Sequence, residues 1–152
     1  MKSVQHLQSI TKRDDWITPK TLFDEICLKY DVSPGLDVAA EYGNQKCFRF
    51  YSKEEDSLSR NFPLYDFWCN PPYSQITKFV SHCYNQHLRN NVTGVMLTFA
   101  KTDTKWWHEY VEEKAEVHFL KGRIKFVDPV TKEVSKNSAP YPSAVIIWRK
   151  KQ

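Results

Sequence analysis

Apolar residues along this chain fall into two kinds of run. Short unbroken runs read as strands: LDVAA, YDFWC, TGVMLTFA and SAVIIWR. Between them apolar residues recur every three or four positions, as on one face of a helix. Pro19 to Tyr30 carries Leu22, Phe23, Ile26 and Leu28 at near-helical spacing, with Thr18 suited to the N-cap and Pro19 to the first helical position. Gly35 then leads into LDVAA, a first strand with a loop at its C-terminal end. KCFRFYS, Lys46 to Ser52, alternates and reads as a second strand, and EEDSLSRNFPL as a loop with a helical turn. YDFWC is a third strand. Ile76 to Leu88 predicts a helix with Ile76, Phe79, Val80, Cys83 and Leu88 on one side. TGVMLTFA predicts a buried strand, and TDTKWWHEYVEEK a helix capped by Thr102 or Asp103. AEVHFLK is a strand, GRIKFVDPVTKEV a hairpin turning at Asp128-Pro129, and SAVIIWR a terminal strand. Strands alternating with helices, then a closing hairpin, predict an α/β sheet. Ligands of such sheets bind at the C-terminal ends of parallel strands. The corners after LDVAA and after YDFWC both lie at such ends.

The length of 152 residues fits one domain, expected over residues 16–150 behind a loose polar arm at 1–15. No apolar run approaches the roughly 20 residues of a membrane span, and the opening MKSVQHLQSITKRDDW lacks the apolar core of a signal peptide. The four cysteines, Cys27, Cys47, Cys69 and Cys83, form no C-x-x-C pair, which argues against a zinc knuckle and for a reducing, cytoplasmic setting. A net charge of +4 is compatible with nucleic acid without requiring it.

The chemistry concentrates in Asn70-Pro71-Pro72-Tyr73, where the third strand ends. Two prolines cannot continue a strand or sit inside a helix. As a bare stop signal, Pro-Pro would need no further meaning. Asn-Pro-Pro-aromatic after an apolar strand is rarer, expected by chance in fewer than about one chain in 100. The residue types suit an exocyclic amino group as substrate. Its lone pair is delocalised into the ring, and two acceptors on its two N–H groups draw the nitrogen toward tetrahedral geometry. An Asn side-chain oxygen and a neighbouring backbone carbonyl supply both. Tyr73 offers a flat face on which an extruded base can stack.

This corner resembles the catalytic motif of S-adenosylmethionine-dependent amino methyltransferases acting on adenine N6 or cytosine N4. The wider chain, over about residues 14 to 149, resembles the phage-type Dam family of DNA adenine methyltransferases. The shared features are DDWITPKTLFDEI, LDVAAEYGN, EEDSL, NPPYS, AKTDTKWWHEYV and FLKGRIKF. The resemblance implies a compact Rossmann-like methyltransferase sheet, mostly parallel with a C-terminal antiparallel hairpin. It implies catalytic roles for Asn70, Pro71, Pro72 and Tyr73. It implies a cofactor site at Trp16, Thr18, Pro19, Asp37, Ala39, Asp56 and Leu58, with Ser52 or Glu54 within reach of the ribose. Substrate contacts would fall to Lys101, Thr102, Asp103, Trp106 and Arg123. Ala39 and Ala40 stand where relatives carry glycine. No metal spacing is present, and the sulfonium needs none, since it already activates its methyl.

Lys121, Arg123 and Lys125, Lys132 and Lys136, and Arg149 to Lys151 would form a phosphate-binding surface with Lys12 and Arg13 if hairpin and termini share a face. The expected partner is double-stranded DNA, read by loops, since no separate target-recognition domain is visible. A homodimer would enlarge a small contact surface. If the source is viral, the setting is a bacterial host cell. The corner specifies an amino group and not the molecule carrying it, so cytosine N4, an RNA base or a protein glutamine are alternatives. The Gly-poor first corner leaves a non-catalytic DNA-binding relative as another.

Overall fold

A strand covered on both faces reads as an unbroken apolar run, and two runs here form the centre of the molecule. In the computed structural model, which describes residues 16–152, β4 (Gly94–Phe99) and β6 (Ser143–Trp148) are buried at every residue. They pair antiparallel along their whole length, from Gly94 opposite Trp148 to Phe99 opposite Ser143. The arm expected over 1–15, with Lys12 and Arg13, lies outside the described residues.

The remaining strands are shorter. They are β1 (Leu36–Asp37), β2 (Arg49–Phe50), β3 (Phe67–Cys69) and β5 (Glu116–Phe119), and the sheet order is β2-β1-β3-β4-β6-β5. The first four run parallel, and β6 lies antiparallel between β4 and β5. This is the mostly parallel α/β sheet that the pattern predicts. The expected second strand over 46–52 shrinks to two residues, and Phe48 beside it is 96% exposed.

Side chains alternate across each strand. Phe67, Cys69, Met96, Ala144, Ile146 and Trp148 face one core, closed by α2 (Ile76–Asn90) and α3 (Lys105–Tyr110). Trp68, Val95, Leu97, Phe99, Val145 and Ile147 face the other, closed by α1 (Lys20–Tyr30) and by Ile124 and Phe126. Phe23 of α1 meets Trp68 edge to face, 4.8 Å between centroids. Cys47, Cys69 and Cys83 are buried, and all four thiols are free. Burial pushes the Cys47 thiol up to about 12 and Cys27 to about 11, which keeps both protonated and unreactive.

Several local expectations change. Pro19 and not Thr18 occupies the N-cap of α1, so the helix starts one place later than expected, and Thr18 makes no capping bond. Leu28 and Leu88 are exposed, because each helix turns only a narrow stripe inward. The third helix is shorter than predicted, and its cap is Thr104, whose hydroxyl accepts from Trp107 N–H at 3.4 Å, not Thr102 or Asp103. The hairpin turn at Asp128 is present, with Asp128 Oδ1 accepting from Val130 N–H at 2.8 Å. Its arms pair through a single bridge, Val127 with Val134, and Val127 also bridges to Ile17 ahead of α1. Among the described residues, no helix is long and apolar enough to cross a membrane.

Gly94 is the tightest point of the sheet. A Cβ there would lie 2.4 Å from Phe67 Cζ, and Phe67 is fully buried. Gly94→Ala is therefore expected to cost about 1–3 kcal/mol through forced movement of that ring. Urea unfolding read by tryptophan fluorescence measures it.

Candidate active site

The strand order reverses between β1 and β3, and a crevice opens at such a point beyond the strand ends. Leu36 lies opposite Phe67 and Asp37 opposite Trp68. Val38 N–H continues the ladder to the Trp68 carbonyl at 3.0 Å. That register brings the two corners, Val38–Ala40 and Asn70–Tyr73, side by side at about one strand spacing.

Asp37 is buried, and its carboxylate turns into its own loop. Oδ1 accepts from Ala39 N–H at 3.2 Å and Oδ2 from Lys46 N–H at 2.9 Å. Burial raises its pKa, and the two N–H groups and the Lys46 charge oppose the rise. The Lys46 ammonium is itself pushed down by burial, with its Nζ donating to the Asn44 carbonyl at 2.9 Å. Asp37 thus shapes the first corner.

At the second corner Pro71 and Pro72 end the ladder, and Tyr73–Gln75 form a 3-10 turn into α2. Asn70 Nδ2 donates to the Trp16 carbonyl at 3.3 Å. Its Oδ1 is shielded from solvent and has no hydrogen-bond partner among the described residues. Buried polar atoms are nearly always paired. An acceptor held this way, with its amide nitrogen anchored to Trp16, is prepared for a donor that arrives from outside.

Beside the corner lies a cleft of about 190 Å³. The Tyr73 ring stacks on Phe99 with centroids 4.2 Å apart and planes 17° apart. Trp16, Trp106 and Lys101 complete the inner wall. The outer wall is a strap, residues 135–141, for which no regular element was predicted. Ser135 N–H donates to Phe126 O at 2.8 Å, Ala139 N–H to Ile124 O at 2.7 Å, and Ala100 N–H to Pro142 O at 2.9 Å. On the strap, Tyr141 contacts Phe99 at 5.2 Å and carries the Lys101 ammonium 3.9 Å from its ring centroid.

Of the residues singled out in the sequence, the structure gathers Trp16, Tyr73, Lys101 and Trp106 in this cleft, with Asn70 one hydrogen bond away. Trp16, expected on the cofactor side, lines the cleft. Thr18 is buried ahead of α1, and its Oγ1 has no partner among the described residues. Asp56 is exposed at φ 52° before a 3-10 turn, while Leu58 packs on the core. Just before it, Ser52 is engaged with Glu55, whose carboxylate accepts from Ser52 N–H at 2.7 Å and from the Ser52 hydroxyl, which holds that carboxyl below the usual range. Thr102 and Asp103 are exposed outside the cleft. Arg123 turns its Nη1 to the carbonyls of Pro140 at 2.7 Å and Ala139 at 3.4 Å, so it holds the strap. Arg149 is likewise engaged, with Glu116 at 2.9 Å. Phe99, Tyr141 and the strap were missed. The one signal was Pro140-Tyr141-Pro142, placed just before a strand antiparallel to β4 and therefore beside the end of β4. No cluster of three or more metal-ligating side chains occurs among the described residues.

A parallel sheet closed by an antiparallel strand, with Asn-Pro-Pro-Tyr at its switch point, is the framework of a methyltransferase. The comparisons agree. Residues 6–152 match the family model described as DNA N-6-adenine-methyltransferase (Dam), and the chain belongs to that family. It is 30% identical over 138 residues to a DNA N-6-adenine-methyltransferase of Haemophilus phage HP1, covering 88% of this chain and 80% of the relative. It is 33% identical over 113 residues to a protein of the same name from Escherichia phage T1, covering 74% of this chain and 47% of that protein.

Removing the Asp37 carboxylate would leave two inward N–H donors unpaired. Asp37→Ala is expected to destabilise the fold by about 1–3 kcal/mol for each donor that water fails to reach. A thermal melt beside Asp37→Asn, which restores one acceptor, tests this: the Asn variant should recover part of the loss.

Proposed function

We propose that this chain transfers the methyl group of S-adenosylmethionine to the N6 amino group of an adenine extruded from double-stranded DNA. The observation that carries this reading is the shielded Asn70 Oδ1, unpartnered among the described residues, at the edge of an aromatic cleft. Asn70 is held by Trp16 so that it presents an acceptor. The Pro71 carbonyl, fixed between two prolines, is the natural second acceptor. Two acceptors on the N6 amino group localise its lone pair. Tyr73, braced by Phe99, gives the purine a face to stack on, and the strap shields it from water. Once it has gained the methyl, the N6 nitrogen is a cation that still holds both its protons, and it is acidic enough to lose one to water, so the site needs no strong base.

The residues around the first corner fit the cofactor. Thr18 Oγ1 is buried and unsatisfied, which suits the polar methionine end. Pro19, beside it, fixes the turn into α1. The Asp37-shaped loop, with Ala39 next to Asp37, permits close approach. Asp56 and Leu58 follow β2, where the ribose and adenine would lie, and Leu58 has apolar surface for the ring. When bound, the cofactor supplies a sulfonium that activates its own methyl. The chain contributes alignment of acceptor nitrogen and methyl in a nearly dry site.

Methyl transfer from labelled S-adenosylmethionine to unmethylated duplex DNA, followed by nucleoside analysis, tests the reading. N6-methyladenine is the expected product, and mapping it gives the recognised sequence. N4-methylcytosine, or label on RNA or protein alone, would overturn the substrate assignment. Asn70→Ala is expected to lower turnover at least about a hundredfold with cofactor affinity within about twofold; retained turnover would refute its role. Tyr73→Ala should raise the KM for DNA about tenfold or more through lost stacking, and Tyr73→Phe should restore it.

A further inference from the structure

Among the described residues, Lys101 is a cation without an anion. No carboxylate lies within ion-pair distance of its ammonium among the described residues. Its backbone is fixed: Lys101 N–H donates to Phe99 O at 2.9 Å, and its carbonyl accepts from Thr104 N–H at 3.2 Å and from the Thr104 hydroxyl at 2.7 Å. Only the side chain is left to move, and it lays its ammonium 3.9 Å from the centroid of the Tyr141 ring, at the wall of the cleft. Such a contact is worth about 0.5–2 kcal/mol. A phosphate offers the same ammonium a charge-assisted hydrogen bond, which is stronger.

We propose that Lys101 and Tyr141 form a placeholder for one nucleotide. This rests on the reading above, in which an extruded base enters the cleft. The entering base takes the Tyr141 ring, and the phosphate attached to the same nucleotide takes the ammonium that the ring releases. One ligand thus replaces both halves of the resting pair, each with a better partner. Neither aromatic face nor cation has to be built when DNA arrives. The assignment separates Lys101 from the basic residues on the hairpin: those would meet flanking phosphates, whereas Lys101 serves the phosphate of the base being methylated.

The test is a binding cycle on duplexes carrying the mapped site, native or with a neutral methylphosphonate at the phosphate 5′ or 3′ of the target adenine. Neutralising one of those two phosphates should weaken wild-type binding about tenfold. Lys101→Met should weaken binding to native DNA by a similar factor, and the two changes together should cost no more than either alone. Lys101→Arg should restore sensitivity to the methylphosphonate, and cofactor binding confirms that each variant is folded. With 2-aminopurine at the target position, Tyr141→Ala should lose part of the quenching seen with wild type, Tyr73 supplying the rest, and Tyr141→Phe should keep all of it. Additive losses in the cycle, or Lys101→Met binding like wild type, would overturn the proposal. A wild-type protein that methylates no DNA would remove the underlying reading and this assignment with it. Methylation with additive losses would remove only the role of Lys101.

Discussion

Two successive residues without an amide hydrogen end the central strand at Cys69, and the site is organised around that stop. β3 is buried on both faces between β1 and β4, so the chain has no sideways exit. The two prolines remove the ladder donors and fix φ. The chain therefore leaves at the lip of the sheet with Asn70 as the last residue before the turn. The rest follows from position. The β1 corner is one strand away, Trp16 caps the Asn70 amide from across the lip, and Tyr73 lands on Phe99 at the end of β4.

How much of this was legible depended on whether a feature is local. β4 and β6 are unbroken apolar runs, and their burial was readable because strands covered on both faces leave no alternation to interpret. The Asn-Pro-Pro-Tyr corner was readable because its conformational demands are confined to four residues. Thr104 as a cap was not, because Thr102, Asp103 and Thr104 are all competent caps and tertiary packing of Trp106 and Trp107 chooses among them. Arg123 looked like a free cation on a hairpin, and its partners, the carbonyls of Ala139 and Pro140, lie 16 and 17 residues further on. No periodicity announces the strap, which is polar, proline-bearing and held by scattered backbone bonds. The same applies to Arg149, which looked like part of a basic tail and instead joins the end of β6 to Glu116.

The two halves of the site are built by different means. The half at the first corner rests on backbone groups and small side chains, with the Asp37 carboxylate accepting from the amides of Ala39 and Lys46. The cleft half rests on rings: Trp16, Tyr73, Phe99, Trp106 and Tyr141. Rings present large, rigid surfaces with few torsions to freeze.

The brevity of β2 has a consequence for behaviour in concentrated solution. It forms one rim of the sheet, beside an almost fully exposed Phe48. A long rim with an aromatic at its side would invite another chain to add a strand and begin aggregation. Two residues offer too few open amide and carbonyl groups to template that addition. The exposed ring is thus left without the backbone pairing that would turn stickiness into ordered self-association.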